Sequence, residues 1–425
     1  MTTDTEGLSL EQAPPLLIPV SFFLVAPVAL IAAGVVLIYG GEQLLWTRFG
    51  AHAPAMLHLG TIGFLAAVML GALYQMIPVV AGARVALVRL AHAVHACLVG
   101  GGAALVYGLL ESSRVAVLLG AVGLASSLIG FIVPVGVALA CAPTRTATVT
   151  GMRVAVLGLV TLVVLGVTMA ILRGSEAASS HYPQWMAIHV AVGFTVWLGG
   201  LITAVSFQVV PMFYLAPAPP RWAERLIVAA IGSSLLALVA AALSSASTVV
   251  VALAAAPGAI AVWGLHPLLT LRAIRRRKRR RVDPSVRFWQ AGLLVGLSLL
   301  PAAALATLSD DSRCPVAFGW LVVWGWAGLI VHGMLSRIVP FLVWFHRFSR
   351  LVGHAPVPPM KQLWPPRSAK LGLAVHSTTV LLGLAALAFA SDALARAAGG
   401  GLVLTGISLG ASLMRVLRPR LAPLG

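Results

Sequence analysis

The stretch from Met56 to Pro78, MLHLGTIGFLAAVMLGALYQMIP, decides the fold of this chain. It is an apolar run long enough to cross a membrane, since a spanning helix needs roughly 20 residues. His58 lies near one end, and Gln75 lies three residues before Pro78 at the other. The stretch therefore predicts a transmembrane helix with a histidine at one end and a polar residue followed by proline at the other.

Two later stretches close in the same way. Gln208 precedes Pro211 by three residues, and Arg337 precedes Pro340 by three. Pro78 and Pro211 are 133 residues apart, and Pro211 and Pro340 are 129 residues apart. Each interval holds about four spans with their loops. The sequence therefore predicts three related four-helix units.

The composition identifies the solvent of the fold. Hydrophobic residues make up 60% of the 425 positions and charged residues 9%, which is too little charge to cover a water-soluble surface. The three cysteines are far apart and form no CxxC motif, so neither a disulfide framework nor covalent heme attachment is indicated. An all-α, multi-pass membrane protein in a lipid bilayer is predicted.

Span length and charge breaks predict twelve transmembrane helices in one membrane domain, residues 16–416, between a cytoplasmic tail at 1–15 and another at 417–425. The predicted repeats cover 16–141, 152–271 and 287–416. The predicted spans are 16–40, 55–80, 86–110, 115–141, 152–173, 185–214, 223–245, 247–271, 287–308, 316–344, 370–392 and 397–416.

Basic residues follow every even-numbered span. The loop after the eighth span carries RRRKRRR at 275–281, and Arg415 and Arg418 follow the twelfth. By the positive-inside rule these segments and both termini are cytoplasmic, in a bacterial-type inner membrane. The net charge of +18 therefore reflects topology, and the basic loop is expected to meet anionic lipid headgroups rather than nucleic acid.

Histidines are the candidate chemical groups. Of the eleven histidines, seven fall in predicted spans, where a polar side chain needs a partner or a cofactor. Acidic residues fall at span ends or in loops, and histidine without carboxylate favours heme iron or copper over proton-coupled transport. The candidates for cofactor binding are His58, His332 and His376, and those for metal binding are His189, His92 and His95.

Helical rise places these histidines in two layers. His58 and His189 lie four residues into their spans, about 6 Å from the outer side, whereas His332 lies about 26 Å along its span, toward the inner leaflet. His376 enters from the inner side, so an interhelix pair of His332 and His376 is expected. Such a pair would be a ligand pair or simply two histidines joined by a hydrogen bond. His92 and His95 share one helix face, which suits a ligand pair, a proton relay or a helix contact.

Twelve spans, three four-helix units and the sequence His58-Leu-Gly-Thr-Ile-Gly63 in the second span resemble subunit I of heme-copper oxidases. The C-type oxidases and nitric oxide reductases are the most similar members. The resemblance implies a pseudo-threefold arrangement of the units, with His58 as a ligand of a low-spin heme. His189 lies on the helix that supplies a copper ligand in that superfamily, and a cytochrome c or another membrane subunit is the implied partner.

The sequence departs from that superfamily at the copper site. The seventh span, Trp222 to Ser245, holds no histidine where the family has an adjacent pair. The tenth span has Gly319-Trp320 in place of the family's His-x-His, and His332 lies much deeper. Reduction of oxygen or nitric oxide at a heme-copper centre is therefore not expected. The NnrS-type nitric oxide tolerance proteins are a further resemblance, but their Trp-His-x-His-Glu-Met signature is absent.

Two functional hypotheses follow. The first is a membrane protein that binds heme b, with copper as a second candidate cofactor, and acts in electron transfer, gas sensing or respiration linked to nitric oxide or oxygen. The second is a transporter or an assembly factor that uses the same scaffold without redox chemistry. A purified heme protein would be coloured and a carrier would be colourless.

The charge pattern generates a topological prediction. We expect the loop 272–286 and Arg418 to be cytoplasmic, because basic residues follow the even-numbered spans. Cysteine labelling in intact cells, or reporter fusions at both places, measures this. Labelling of either place from outside would reverse the orientation and exchange the inner and outer histidine layers.

Overall fold

A computed structural model describes residues 14–50, 52–173, 181–244, 246–278, 283–354 and 356–418, and within these ranges the chain forms helices and no strands. Twelve helices in the described part are long and apolar enough to cross a membrane, which indicates a multi-pass membrane protein. Most of both predicted tails, and residues 279–282 of the basic loop, lie outside the described residues.

The bounds of the twelve helices agree with the predicted spans to within five residues, except at the end of the tenth, which continues seven residues further. The first six are α1 (Leu17–Leu45), α2 (His52–Ala81), α3 (Val88–Leu110), α4 (Arg114–Ala140), α5 (Ala147–Leu172) and α6 (Tyr182–Tyr214). The others are α7 (Arg221–Ala242), α8 (Thr248–Arg275), α9 (Pro284–Leu308), α10 (Arg313–Leu351), α11 (Pro366–Phe389) and α12 (Asp392–Leu417).

Helices α2, α6 and α10 share an irregularity of the backbone. Each contains a π-helical stretch, at Leu59–Ala66, Val192–Gly199 and Leu321–Ala327. Each stretch begins 19 residues before the proline of the repeated ending, Pro78, Pro211 or Pro340. Runs of π-helix this long are rare. The three stretches that the sequence pattern relates therefore have the same local backbone.

The same three helices are the most buried. In the most apolar window of each helix, 78% of the residues of α2 and α6 and 61% of those of α10 are buried, against 22–50% in the other nine described helices. Lipid-facing helices leave one side exposed, whereas these three are surrounded by protein. The repeated sequence therefore marks the interior helices.

The prolines of the repeated ending do not stop these helices. Helix α6 continues three residues past Pro211 to Tyr214, whereas α10 continues eleven past Pro340 to Leu351. The prediction that Arg337 lies near the end of its helix was therefore wrong, since α10 extends fourteen residues beyond it. A proline inside a helix removes one backbone hydrogen bond but does not require the helix to end.

The chain divides into two compact units. The described residues of Met1–Pro14, Ala72–Arg280 and Gly296–Phe318 form the first unit. In it, α3 and α4 pack with their backbones in close approach: a Cβ on Gly101 would lie 2.6 Å from the backbone nitrogen of Leu124, and one on Gly123 would lie 2.8 Å from the Cα of Gly101. Small residues at such crossings are how membrane helices associate tightly.

The described residues of Pro15–Gly71, Arg281–Val295 and Gly319–Gly425 form the second unit. Helices α1 and α12 meet there at a pair of glycines. A Cβ on Gly34 would lie 2.5 Å from the carbonyl oxygen of Gly399, and a Cβ on Gly399 would lie 2.7 Å from the carbonyl oxygen of Gly34. Since backbone atoms fill both positions, neither glycine has room for a side chain.

This contact predicts the effect of adding one methyl group at position 399. Gly399→Ala should destabilise the folded protein by about 1–3 kcal/mol, because the methyl group would force α1 and α12 apart. Gly400→Ala is the matched control, because nothing lies within 4 Å of its Cβ position. It should leave stability unchanged or raise it slightly, since alanine is the better helix former. Thermal unfolding of the two purified variants in detergent measures the difference, and equal midpoints would contradict the packing argument.

Candidate functional site

Two of the predicted site histidines meet in the second unit. Their Nδ1 atoms, His332 on α10 and His376 on α11, lie 3.1 Å apart, within hydrogen-bond distance. Both side chains are buried. The predicted interhelix pair is therefore present, and whether it binds a cofactor stays a prediction.

The positions of the two histidines along their helices follow from the helix ends. His376 is ten residues after Pro366 and thirteen before Phe389, and His332 is nineteen residues from either end of α10. Both histidines are thus near the middle of their helices. The position of the pair in the inner leaflet stays a prediction, because the ends of the helices do not mark the membrane surfaces.

Glycines provide the space for both rings. Gly328 precedes His332 by four residues and Gly372 precedes His376 by four, within the similar pentapeptides GLIVH and GLAVH. A Cβ on Gly372 would lie 3.1 Å from Nε2 of His332, and one on Gly328 would lie 3.3 Å from Nε2 of His376. Each histidine therefore packs against the glycine of the opposite helix, and we name this arrangement the histidine–glycine clasp.

The hydrogen bonds of the clasp determine its tautomers. Nε2 of His376 is 2.9 Å from the carbonyl oxygen of Trp324, so this nitrogen carries a proton and donates. In a neutral imidazole the other nitrogen then accepts. His332 therefore donates from Nδ1 to Nδ1 of His376, and its own Nε2 holds the remaining lone pair. Trp324 lies in the π-helical stretch of α10, so the clasp satisfies a carbonyl group of that stretch.

Aromatic side chains surround the clasp. The ring of Phe288 on α9 lies 4.8 Å from that of His332, between centroids. Next to it, Nε1 of Trp289 donates to the sulfur of Met334 at 3.1 Å. On the other side, the rings of Phe64 and Trp324 are stacked with centroids 6.5 Å apart. The clasp therefore lies in an apolar, tightly packed environment.

An ion pair lies about one turn further along α10. Arg337 forms a salt bridge with Asp283, and its Nε donates to Oγ of Ser285 at 3.1 Å. Both charged side chains are about one quarter exposed. Arg337, the polar residue of the third repeated ending, therefore ties α10 to the residues at the start of α9.

His58 has a different environment from the clasp. Its Nδ1 lies 2.7 Å from the carbonyl oxygen of Pro54, one turn earlier in α2, so this nitrogen is the donor. The side chain is partly exposed. Nε2 therefore keeps its lone pair, and an imidazole whose other nitrogen is bonded to a carbonyl is oriented as a metal-binding histidine usually is. His58 forms this bond within its own helix rather than with His332 or His376.

The donor atoms differ in how well they fit a heme. His58 would suit heme iron as a ligand, since Nε2 holds a lone pair and Nδ1 has its hydrogen-bond partner. The clasp does not fit as packed, because both nitrogens of His376 are hydrogen-bonded and the lone pair on Nε2 of His332 faces the backbone of α11 at Gly372. The fit therefore favours His58 over His332 and His376.

The predicted metal residues lie in the first unit. His189 is half-buried on α6, where a Cβ on Gly166 of α5 would lie 3.4 Å from its Cε1. On α3, His92 is exposed and His95 is half-buried. No three histidine, cysteine or acidic side chains gather as a metal ligand set within the described ranges, so these three do not form one cluster. Metal binding at any of them stays a prediction.

Sequence reasoning missed part of this arrangement. His266 on α8 is fully buried, with Nε2 2.8 Å from Oγ of Ser206 on α6. His266 is one of the seven histidines within predicted spans and was not among the predicted ligands. The two pentapeptides GLIVH and GLAVH were the signal that could have located the clasp, since equal Gly-to-His spacing on two antiparallel helices allows reciprocal packing. No signal in the sequence marks Ser206 as the partner of His266.

Comparison with known proteins assigns no family to the chain. No family model matches the sequence, and no curated protein matches it. The function is therefore argued from the geometry.

The clasp predicts how substitutions at its two histidines combine. His376→Leu should destabilise the protein by about 1–3 kcal/mol, because it leaves the Nδ1–H of His332 buried without its partner and removes the hydrogen bond to the carbonyl of Trp324. His332→Leu should destabilise the protein less than His376→Leu does. The double variant should be destabilised by less than the sum of the two single variants. Thermal unfolding of the two single variants and the double variant measures the coupling. Simple additivity would show that the two rings do not depend on each other.

Proposed function

We propose that this chain is a heme-binding, multi-pass membrane protein on the scaffold of heme-copper oxidase subunit I, without a heme-copper centre. The observation that carries the proposal is His58. Its Nδ1 is held by the carbonyl of Pro54, and its Nε2 keeps the lone pair that an iron requires. This histidine is also the one whose position in the second helix and following glycine match the superfamily.

The repeated helices support the scaffold part of the proposal. Three buried helices, α2, α6 and α10, share a π-helical stretch and a proline at the same 19-residue spacing, and each begins a new interval of four helices. Such periodicity is what three related four-helix units would produce. It favours the pseudo-threefold arrangement that the resemblance implies.

The remaining features limit the chemistry. A bound heme b would supply one-electron transfer or binding of a diatomic gas, and His58 would hold and orient it. Helix α7 has no histidine, so the three-histidine copper site of the oxidases has no counterpart in this sequence. We therefore place the protein in electron transfer or in handling of nitric oxide or oxygen. In this proposal it resides in a bacterial-type inner membrane with both termini cytoplasmic, and a cytochrome c or another membrane subunit exchanges electrons with it.

The clasp favours a second candidate function. His332 and His376, which are predicted ligands together with His58, are hydrogen-bonded to each other and packed against glycine. Histidines used in this way hold helices together and perform no redox chemistry. In a transporter or an assembly factor on the same scaffold, the two histidines would join helices in this way without binding a cofactor.

The absorption spectrum of the purified protein separates the two candidates. The heme proposal predicts a Soret band and a pyridine hemochrome, whereas the carrier would be colourless. His58→Ala should reduce bound heme at least tenfold without preventing membrane insertion. His52→Ala is the matched control, since His52 is an exposed histidine at the start of the same helix. The His52→Ala variant should bind as much heme as the parent.

The substitution His332→Ala tests whether the clasp binds heme. We expect it to lower stability but not the heme content per folded protein, because its Nε2 faces the backbone of Gly372. A loss of heme in folded His332→Ala with none in His58→Ala would mean that the clasp opens to bind iron. A colourless protein, purified after expression with ample heme, would contradict the heme proposal and favour the transporter or assembly hypothesis.

A further inference from the structure

Basic residues converge at one end of the first unit. The backbone N–H of Lys278, just beyond α8, donates to the carbonyl oxygen of Leu215, just beyond α6, at 3.0 Å. The start of α7 follows within six residues of Leu215. The ends of α6 and α8 and the start of α7 therefore lie together. Exposed basic side chains of α7, of α8 and of the residues just after α8 form what we name the arginine patch: Arg221, Arg225, Arg272, Arg275, Arg276 and Lys278.

The charge of the arginine patch is not balanced within these helices. Between Leu215 and Lys278 the sequence contains one acidic residue, Glu224, which is half-buried. Six exposed cations beside one carboxylate repel each other unless anions gather around them. The patch therefore suits a negatively charged partner.

Apolar side chains adjoin the patch on the same helix. Trp222 is 63% exposed and Leu226 is 52% exposed, and both lie between or beside Arg221 and Arg225 in the first turns of α7. Tryptophan is enriched where a membrane meets water, because its ring is apolar and its N–H is polar. An anionic lipid has a phosphate group next to its hydrocarbon chains, as the arginines are next to Trp222 and Leu226. A nucleic acid or a free phosphate would leave the exposed apolar groups without a partner.

We propose that the arginine patch binds an anionic phospholipid such as phosphatidylglycerol. The phosphate lies at the arginines of α7 and α8, and the acyl chains lie along Trp222 and Leu226. Guanidinium groups suit this role because they donate several hydrogen bonds to phosphate oxygens at once. The lipid thereby joins the start of α7 to the end of α8 at the membrane surface. This site is independent of the proposed heme.

Lipid binding to the full-length protein in detergent tests the proposal, with native mass spectrometry to compare phosphatidylglycerol with phosphatidylcholine. The parent protein should bind phosphatidylglycerol at least tenfold more tightly, and added salt should reduce the difference. Arg221→Gln combined with Arg225→Gln should weaken phosphatidylglycerol binding roughly 25-fold, since each basic residue near an anionic surface contributes about fivefold. Phosphatidylcholine binding should be unchanged.

The matched control changes the same charge at the other end of the same unit. Arg114 lies at the start of α4 and Arg173 just after α5, whose end leads to the start of α6. Arg114→Gln combined with Arg173→Gln should retain the preference of the parent. Arg221→Lys combined with Arg225→Lys should retain most of it, and this variant keeps the test decisive if the glutamine variant fails to fold.

Several results would overturn the proposal. Equal affinity of the parent for the two lipids would exclude a site for anionic lipid, and an equal loss in the control would show that only total charge matters. Displacement of the lipid by millimolar inorganic phosphate would make the patch a phosphate site. Unchanged binding in folded Arg221→Gln/Arg225→Gln would place the lipid elsewhere.

Discussion

Close backbone approach between helices at glycine is the contact on which the rest of this structure depends. Lipid tails are as apolar as the helix surfaces, so the hydrophobic effect does little to bring membrane helices together, and packing at short distance must do so. Gly34 and Gly399 join α1 to α12 in the second unit, and Gly101 and Gly123 join α3 to α4 in the first. At each of these positions a methyl group would meet backbone atoms, which cannot move aside as a flexible side chain can. The positions of these helices are therefore determined by where glycine occurs.

The histidine–glycine clasp uses the same contact for polar side chains. Gly328 and Gly372 leave space into which the ring of the opposite histidine fits, and the two rings then satisfy each other and the carbonyl of Trp324. A buried imidazole in an apolar environment is costly without partners, and here both rings have them. The consequence for function is direct. The nitrogens of His376 and Nδ1 of His332 are used in hydrogen bonds within the clasp. His58 is partly exposed and forms its hydrogen bond within its own helix, so its Nε2 keeps a lone pair that can bind a metal.

The interior helices show why local pattern alone does not describe this fold. Proline in a helix interior and long π-helical stretches both weaken a helix, yet α2, α6 and α10 contain both and are the most buried helices among the described residues. Surrounding protein compensates for the lost regularity, as the bond from His376 to Trp324 shows in α10. A lipid-facing helix has no such neighbours on its outer side. Among the described residues, the longest π-helical stretches are therefore in the most buried helices, whereas the less buried α8 has a shorter one of five residues, Ala261–Leu265.

Twelve helices and most of their bounds were determined by the sequence alone, because the bilayer thickness sets how many apolar residues a span needs and charged residues mark where it stops. The repeated endings of α2, α6 and α10 were also visible, since the same local sequence produces the same local backbone. The end of α10 was not visible, because a charged residue followed by proline, Arg337 and Pro340, is typical of a helix end. In the structure Asp283 and Ser285 bind Arg337 within the helix. The partners of the histidines were decided only by the tertiary structure. Hydrogen bonds between side chains 44 or 60 residues apart depend on how two helices rotate against each other, and no single stretch of sequence contains both helices.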